Sequence, residues 1–365
     1  LMQAPKNGFF YMLDRETGEL LSAENYVNIT WASHVDMETG RPVEVAGDFS
    51  EGPQIVYPSP YGGHNWNPMS FNPNTGLVYI PTIDAMYPYI RDTNFEFKRD
   101  GWWNTGTDSA AVAELVASSN PPPPLPTGSL KAWDPVAQKE VWRVDHRGSG
   151  NGGVLTTAGN LVFQGTSDGR FVAYAADSGE QVWESKINVG IIAPPISYSV
   201  NGEQYIAIQA GWGGAQGITG LDAGISAASH YANAGHMLAY KIGGTAPLPE
   251  IPAKRFTMIP PPPASDATPE QIKLGQKHFH ESCSECHGRP AISAGVTSDL
   301  RYMSNTTHEF FSKILLEGAL IEKGMPSFDD RYSADDVEAI HAYLIERARQ
   351  DRELMLKAAE EQANQ

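Results

Sequence analysis

Two stretches of this chain repeat one another at an offset of 41 residues, and nothing else in the sequence narrows the fold as far. Ala132-Trp-Asp-Pro-Val-Ala-Gln-Lys-Glu-Val-Trp142 lines up with Ala173-Tyr-Ala-Ala-Asp-Ser-Gly-Glu-Gln-Val-Trp183. Met12-Leu-Asp-Arg-Glu-Thr-Gly-Glu-Leu-Leu-Ser22 fits the same template 120 residues before the first copy, close to three periods. A second phase recurs as well, with Thr75-Gly-Leu-Val-Tyr-Ile80 matching Gly159-Asn-Leu-Val-Phe-Gln164. A period of about 40 residues with β-branched and aromatic strands is the pattern of propeller blades, each a four-stranded sheet. The Thr-Gly or Ser-Gly turn of the template needs a residue that tolerates positive φ. The recurring Trp142 and Trp183 are expected to pack between neighbouring blades. The 35 Gly and 27 Pro fit a turn-rich, largely all-β chain.

Residues 1–243 hold about four blades by this count, read as part of an eight-bladed propeller once the resemblance below is added. The chain opens inside a strand-like run, Asn7-Gly-Phe-Phe-Tyr-Met-Leu13, so further blades are expected on the N-terminal side. Residues 84–128 interrupt the repeat and carry Trp102, Trp103 and the run Pro121 to Pro124. They read as a long inter-blade excursion covering one face. Residues 244–267 form a Pro-rich linker, whose polyproline run should be extended and semi-stiff.

From residue 268 the pattern turns helical, giving a small all-α domain over 268–365. Thr268-Pro-Glu-Gln271 is a capping box with Pro at the first helical position. Ile272, Leu274, Gly275 and Phe279 are expected on its buried side. Ser333 opens a second capped helix, with Val337, Ile340, His341 and Leu344 at helical spacing. The charged tail after Arg347 reads as a solvated or frayed helix end.

Between the two helices lies Cys283-Ser-Glu-Cys-His287, and the chain has no other cysteine. This C-x-x-C-H spacing suits covalent haem c. Two thiols add to the two vinyl groups, and the adjacent His presents its imidazole to the iron. The rivals are zinc, which needs further ligands in a plausible array, and a redox dithiol, which needs a thioredoxin-like context. The second iron ligand of an electron-transfer haem is a thioether, since Met raises the potential. Met325, in the loop Gly324-Met-Pro-Ser-Phe328, is the choice, and Met303 the competitor.

A formal net charge of −17 repels phosphate backbones, which excludes nucleic acid as a partner and favours one with a basic face. No apolar run reaches the ~20 residues of a transmembrane span. No signal peptide is visible, and Leu1 reads as a processing point or the cut end of a longer protein.

The whole chain resembles the C-terminal half of quinohaemoprotein alcohol dehydrogenases. The stretches that carry the resemblance are Leu1-Met-Gln-Ala-Pro-Lys-Asn-Gly-Phe-Phe-Tyr11, Gly62-Gly-His-Asn-Trp-Asn-Pro-Met-Ser70, Thr157-Ala-Gly-Asn-Leu-Val-Phe-Gln-Gly-Thr-Ser-Asp-Gly169, Gly211-Trp-Gly-Gly214 and the haem and Met loops. That family has a propeller holding pyrroloquinoline quinone (PQQ) and calcium, fused to a cytochrome c domain. The resemblance makes Lys6 the cation at the quinone oxygens, where it would stabilise charge that builds up on reduction. It gives Asn65 and Trp66 to the cofactor as a hydrogen-bond donor and a flat wall. It places Ala215, after the glycine-rich turn, at the quinone carboxylates. Plainer roles stand beside these: a surface lysine, a blade-packing indole and an ordinary tight turn. One departure is Gly150-Asn151-Gly152-Gly153, where family members often carry Trp-Asn before the Gly-Gly. Asn151 is therefore a candidate contact only.

The family's catalytic Asp, its calcium ligands and its adjacent-Cys disulfide match positions upstream of Leu1, so no catalytic residue is assigned in this chain. Asp14 and Asp36 are not substitutes, and Asp14 reads as a blade-turn residue. The implied activity is oxidation of an alcohol to an aldehyde. Calcium polarises PQQ, an Asp takes the hydroxyl proton, hydride passes to the quinone, and electrons leave through the haem to an external redox protein. Two other readings stay open: an electron-transfer cytochrome with a non-catalytic propeller scaffold, and a quinoprotein for a different substrate. The first would show independent folding without PQQ binding. The second shares the cofactors and differs in the pocket. The resemblance implies a periplasmic location.

Overall fold

The computed structural model describes residues 1–45, 47, 52–97, 104–219, 222–255, 257–289 and 291–363. Trp102 and Trp103 of the expected excursion lie outside the described residues. The chain divides into two compact units: Leu1–Arg91 with Asn120–Gly217 and Leu221–Lys254, and Asp92–Ser119 with Ile218–Gly220 and Arg255–Gln365.

The first unit is built of antiparallel sheets. Strands β1 (Met2–Gln3), β2 (Phe9–Leu13) and β3 (Leu20–Asn25) form the first, and β4 (Ala32–Val35) pairs with β5 (Pro42–Glu44). Next in the chain come β6 (Gln54–Val56), β7 (Ser70–Asn72), β8 (Leu77–Asp84), β9 (Tyr87–Tyr89), β10 (Thr127–Asp134) and β11 (Lys139–His146). Of these, β7, β8, β10 and β11 make a four-stranded sheet, and β6 pairs with β9. A second four-stranded sheet comprises β12 (Val154–Thr157), β13 (Leu161–Gly165), β14 (Arg170–Ala175) and β15 (Gln181–Lys186) in sequence order. A last sheet holds β16 (Ile196–Val200), β17 (Glu203–Ala210) and β18 (His236–Tyr240). Among the described residues no sheet closes on itself.

The repeat survives in the register. Ala132 pairs with Trp142 and Ala173 with Trp183, and each ladder bulges at the next residue. Met12 pairs with Ser22 beside a bulge at Leu13, the same arrangement 120 residues earlier. A bulge at one fixed place re-aims the strand end into the turn. The turn itself is held by an acidic side chain: Asp14 accepts from the backbone amides of Glu16 and Thr17, and Asp134 does so from Val136 and Ala137. Trp142 donates its ring N–H to the Ala176 carbonyl of the following sheet at 3.1 Å and lies 5.6 Å from the Tyr79 ring. Trp183 meets Tyr240 of the sheet after its own at 5.2 Å. Both indoles thus pack between consecutive sheets. Beneath them, Tyr79, Leu130, Val162, Val172 and Tyr174 fill the interior between the two four-stranded sheets.

The second unit is helical. Thr268 and Gln271 close a reciprocal capping box on the helix Pro269–His278, with Pro269 in the first turn. Gly275 lies against the helix Ala334–Ala363 so closely that a Cβ there would stand 1.8 Å from the Ala339 carbonyl oxygen. Phe279 is fully buried, while Leu274 is exposed, contrary to its expected place on the inner face. A π-helical turn, Phe279–Cys283, leads into the short helix Ser284–His287. The tail, expected as a solvated or frayed helix end, is a largely exposed helix to Ala363, laced by ion pairs. Arg347 meets Asp351 at 2.8 Å, Arg349 meets Glu346 and Glu353, and Arg301 reaches Asp351 from outside the helix. The helix Ser109–Ser118, capped by Asp108, belongs to this unit and packs on the π-helical turn.

Candidate functional site

The π-helical turn brings Cys283 into the core of the second unit and leaves Cys286 half-buried, both as free thiols. Burial pushes the Cys283 thiol up to about 12 and raises that of Cys286. A neutral thiol in an apolar core is inert as a redox dithiol. His287 Nδ1 faces the Ser298 carbonyl oxygen at 2.9 Å. A carbonyl only accepts, so Nδ1 carries the proton and Nε2 is left as the free lone pair a metal needs. Burial also holds His287 below the usual imidazole range, which favours that neutral form. Thr297 donates its hydroxyl to the Cys286 carbonyl and braces the same turn.

Both candidate thioethers belong to this core. Met303 is buried with Cys283, Phe311, Phe328 and Tyr332, and Met325 packs on the same cluster behind the left-handed Gly324. His280 is buried with neither ring nitrogen partnered, and so is the Tyr343 hydroxyl. Two thiols, one free imidazole nitrogen and two thioethers around one apolar core fit a covalently attached haem. Among the described residues no group of three or more His, Cys, Asp or Glu could hold a bare metal ion, which leaves zinc without a ligand set.

The residues assigned to the quinone come from three segments of the first unit. Lys6 is exposed and donates to the Pro60 carbonyl at 3.1 Å. Gly63 N–H donates to the Lys6 carbonyl, and a Cβ on Gly62 would collide with Lys6 Cα at 2.5 Å. Gly62 also sits at φ +81°, so glycine is required there twice over. Asn65 donates its amide to the Tyr61 carbonyl and accepts from Trp66 N–H, which turns the next side chain outward. Trp66 is 54% exposed, so blade packing is not its role here. A Cβ on Gly214 would lie 4.0 Å from Cζ2 of Trp66, placing the Gly211–Ala215 turn beside that indole. Gly211 and Gly213 have nothing within 4 Å of a Cβ position, and Ala215 is exposed. An open glycine turn beside an uncovered flat indole fits a planar, carboxylated ring system such as PQQ.

Asn151, the candidate contact, is 4% exposed; its amide donates to the Gly148 carbonyl and accepts from Ser167 N–H. The space over Gly150, where relatives often carry Trp, is taken by Trp212: a Cβ there would be 2.6 Å from its ring. Sequence reasoning missed the roles of four side chains that build this region. Asp222 is fully buried and accepts from Ser149 N–H, Ser149 hydroxyl and Gly150 N–H at 2.8–2.9 Å. Trp212 and Gln216 are buried with an indole N–H and an amide oxygen unpartnered. His64 bridges two carbonyls. Of the four, Trp212 lay inside the quoted Gly211–Gly214 stretch and His64 inside the Gly62–Ser70 stretch, whereas Asp222 and Gln216 lay in neither.

Comparison with known proteins gives a consistent answer. A family described as "Glucose/ethanol/alcohol dehydrogenase, beta-propeller domain" matches residues 124–206, and "Cytochrome C oxidase, cbb3-type, subunit III" matches residues 270–344. Quinohemoprotein alcohol dehydrogenase ADH IIB of Pseudomonas putida is 44% identical over 361 residues, which is 98% of this chain and 51% of that protein. The Comamonas testosteroni quinohemoprotein alcohol dehydrogenase is 39% identical over 94% of this chain and 48% of its own length. The solved structure of ADHIIG from Pseudomonas putida HK5 superposes with a TM-score of 0.84 at 42% identity, covering 95% of this chain and 51% of that one. The Comamonas testosteroni structure gives 0.79 at 36% identity. The chain therefore spans about half the length of the relatives it matches.

Proposed function

Because this chain is homologous to quinohaemoprotein alcohol dehydrogenases along nearly its whole length, we propose that it serves PQQ-dependent oxidation of an alcohol, with electrons leaving through haem c. The observation that carries the proposal is the convergence of Lys6, Asn65–Trp66 and the Gly211–Ala215 turn in one unit, with a complete haem attachment set in the other. PQQ, polarised by calcium, supplies the two-electron acceptor when bound. Lys6 holds a positive charge at the quinone oxygens and Trp66 offers a ring face. The exposed Ala215, at the start of the helix Gly214–Thr219, would let backbone approach the carboxylates. His287 and Met325 would ligate the iron, and Cys283 and Cys286 would be the covalent anchors.

In this reading the sheets of residues 1–243 are about four blades of an eight-bladed propeller, residues 244–267 are the linker and residues 268–365 the cytochrome. No residue of the chain is assigned as general base or calcium ligand. The electron acceptor is an external redox protein, and the compartment is the periplasm, where haem c is matured. No described helix is long and apolar enough to cross a membrane.

The test is alcohol-dependent haem reduction. The haem-matured full-length protein that carries these residues is mixed with PQQ and calcium, and reduced-haem absorbance is followed after adding a primary alcohol; the 365 residues by themselves, with no general base assigned, are expected to be inactive. Reduction that requires both alcohol and PQQ is expected. A haem that dithionite reduces and alcohol with PQQ does not would sink the reading and favour a plain electron-transfer role.

A further inference from the structure

We propose that His64 is a positioning residue that locks Lys6 and the Asn65–Trp66 pair into one geometry. The inference rests on the reading of those three as quinone contacts. His64 is only 6% exposed and sits one residue before Asn65. Its Nδ1 lies 2.6 Å from the carbonyl oxygen of Ala4, two residues before Lys6. Its Nε2 lies 2.6 Å from the carbonyl oxygen of Asn67, just past Trp66. Both partners can only accept, so the ring nitrogen that carries a proton donates to the carbonyl it faces.

One ring therefore joins segments 60 residues apart, at the only two places where their side chains are assigned to the cofactor. The neighbouring backbone is shaped for this. Gly63 N–H donates to the Lys6 carbonyl at 3.1 Å, and Gly62 leaves no room between the segments for a side chain. Asn67 in turn donates to the Asn151 and Ile192 carbonyls, which ties the far end of the loop into the sheet behind it. His64 is buried beneath the loop, so it acts on a ligand through Lys6, Asn65 and Trp66. Displacing such groups by about 1 Å is enough to cost on the order of 100-fold in a positioned site.

The test is a double-mutant cycle on the PQQ dissociation constant of the full-length, haem-loaded protein, using His64→Gln, Lys6→Ala and the double variant. His64→Gln should weaken PQQ by roughly 10- to 100-fold. Lys6→Ala should then cost much less in the His64→Gln background than in the wild type, because the lysine is already displaced. Without ligand, amide exchange at Gly63 should accelerate in His64→Gln. A His64→Phe variant gives the same reading if it folds, and His64→Gln, which keeps an amide donor, decides if it does not. PQQ affinity within about twofold of wild type, or losses that simply add, would overturn the inference. If Lys6→Ala weakens PQQ while His64→Gln does not, the cofactor reading stands and His64 is only a core residue. If the wild type binds no PQQ, both readings fall together.

Discussion

Replacing Gly275 by Ala sets two opposed effects against each other in the second unit. Gly275 lies inside the helix Pro269–His278, where alanine is favoured over glycine by about 1 kcal/mol on backbone entropy alone. If nothing touched that face, Gly275→Ala would stabilise the unit. The structure puts the new methyl 1.8 Å from the Ala339 carbonyl oxygen and 2.9 Å from the Ile340 nitrogen of the helix Ala334–Ala363. A carbon–oxygen contact needs about 3.3 Å, so the helices must separate by roughly 1.5 Å. The obstacle is backbone, which has no rotamer to escape into, and the cost falls at the upper end of the ~1–3 kcal/mol for overpacking, or above it. Net of propensity, a loss of about 2–3 kcal/mol remains. For a domain of this size that lowers Tm by roughly 10–20 °C. Thermal melts of the haem-loaded protein, followed at the haem absorbance so that only this unit reports, give the answer. A Tm equal to or above wild type would refute the close helix contact and leave only propensity.

Two further predictions concern the same unit. Burial holds His280 down at about 4 and holds His341 below its ordinary range, and burial together with the His341 imidazole at 2.8 Å does the same to His308. A depressed imidazole binds its proton more readily in the unfolded chain. Its contribution is therefore complete above the ordinary value of ~6.5 and is lost as pH falls toward the folded value. For His280 the window runs from ~6.5 to about 4 and the loss reaches about 3 kcal/mol. Urea melts across that range should show a shallower acid limb for His280→Leu, and parallel limbs would count against a neutral buried ring. The second prediction separates the thioethers. Met325→Ala should lower the haem reduction potential and alter the iron ligand-field spectrum, whereas Met303→Ala should cost about 2–5 kcal/mol of stability and leave the potential in place. Redox titration distinguishes the two, and an exchange of these outcomes would make Met303 the ligand.

The features legible in the sequence were those whose partners lie a few residues away. The turn acids Asp14 and Asp134 bond within three residues of themselves, the capping box of Thr268 and Gln271 is a local exchange, and the bulged Ala–Trp ladders repeat because their hairpin is short. Leu274 was misplaced for the complementary reason. Its helical spacing allowed burial, but Gly275 and Phe279 already fill the face that meets the neighbouring helix. The tail after Arg347 is a largely solvated helix end, as its charges imply, but its pairing at helical spacing and with Arg301, far away in the chain, could not be read from the charges counted singly. The same distance in sequence hid the residues that brace the loops proposed for the quinone. Asp222 bonds 72 and 73 residues away, and His64 reaches 60 residues back to Ala4. A motif names the side chains that face a ligand, since their chemistry marks them. The residues that hold those side chains at the right height carry no mark of their own. Here they come from segments 60 to 73 residues away, so no local run of residues marks the proposed dependence of Lys6 on His64.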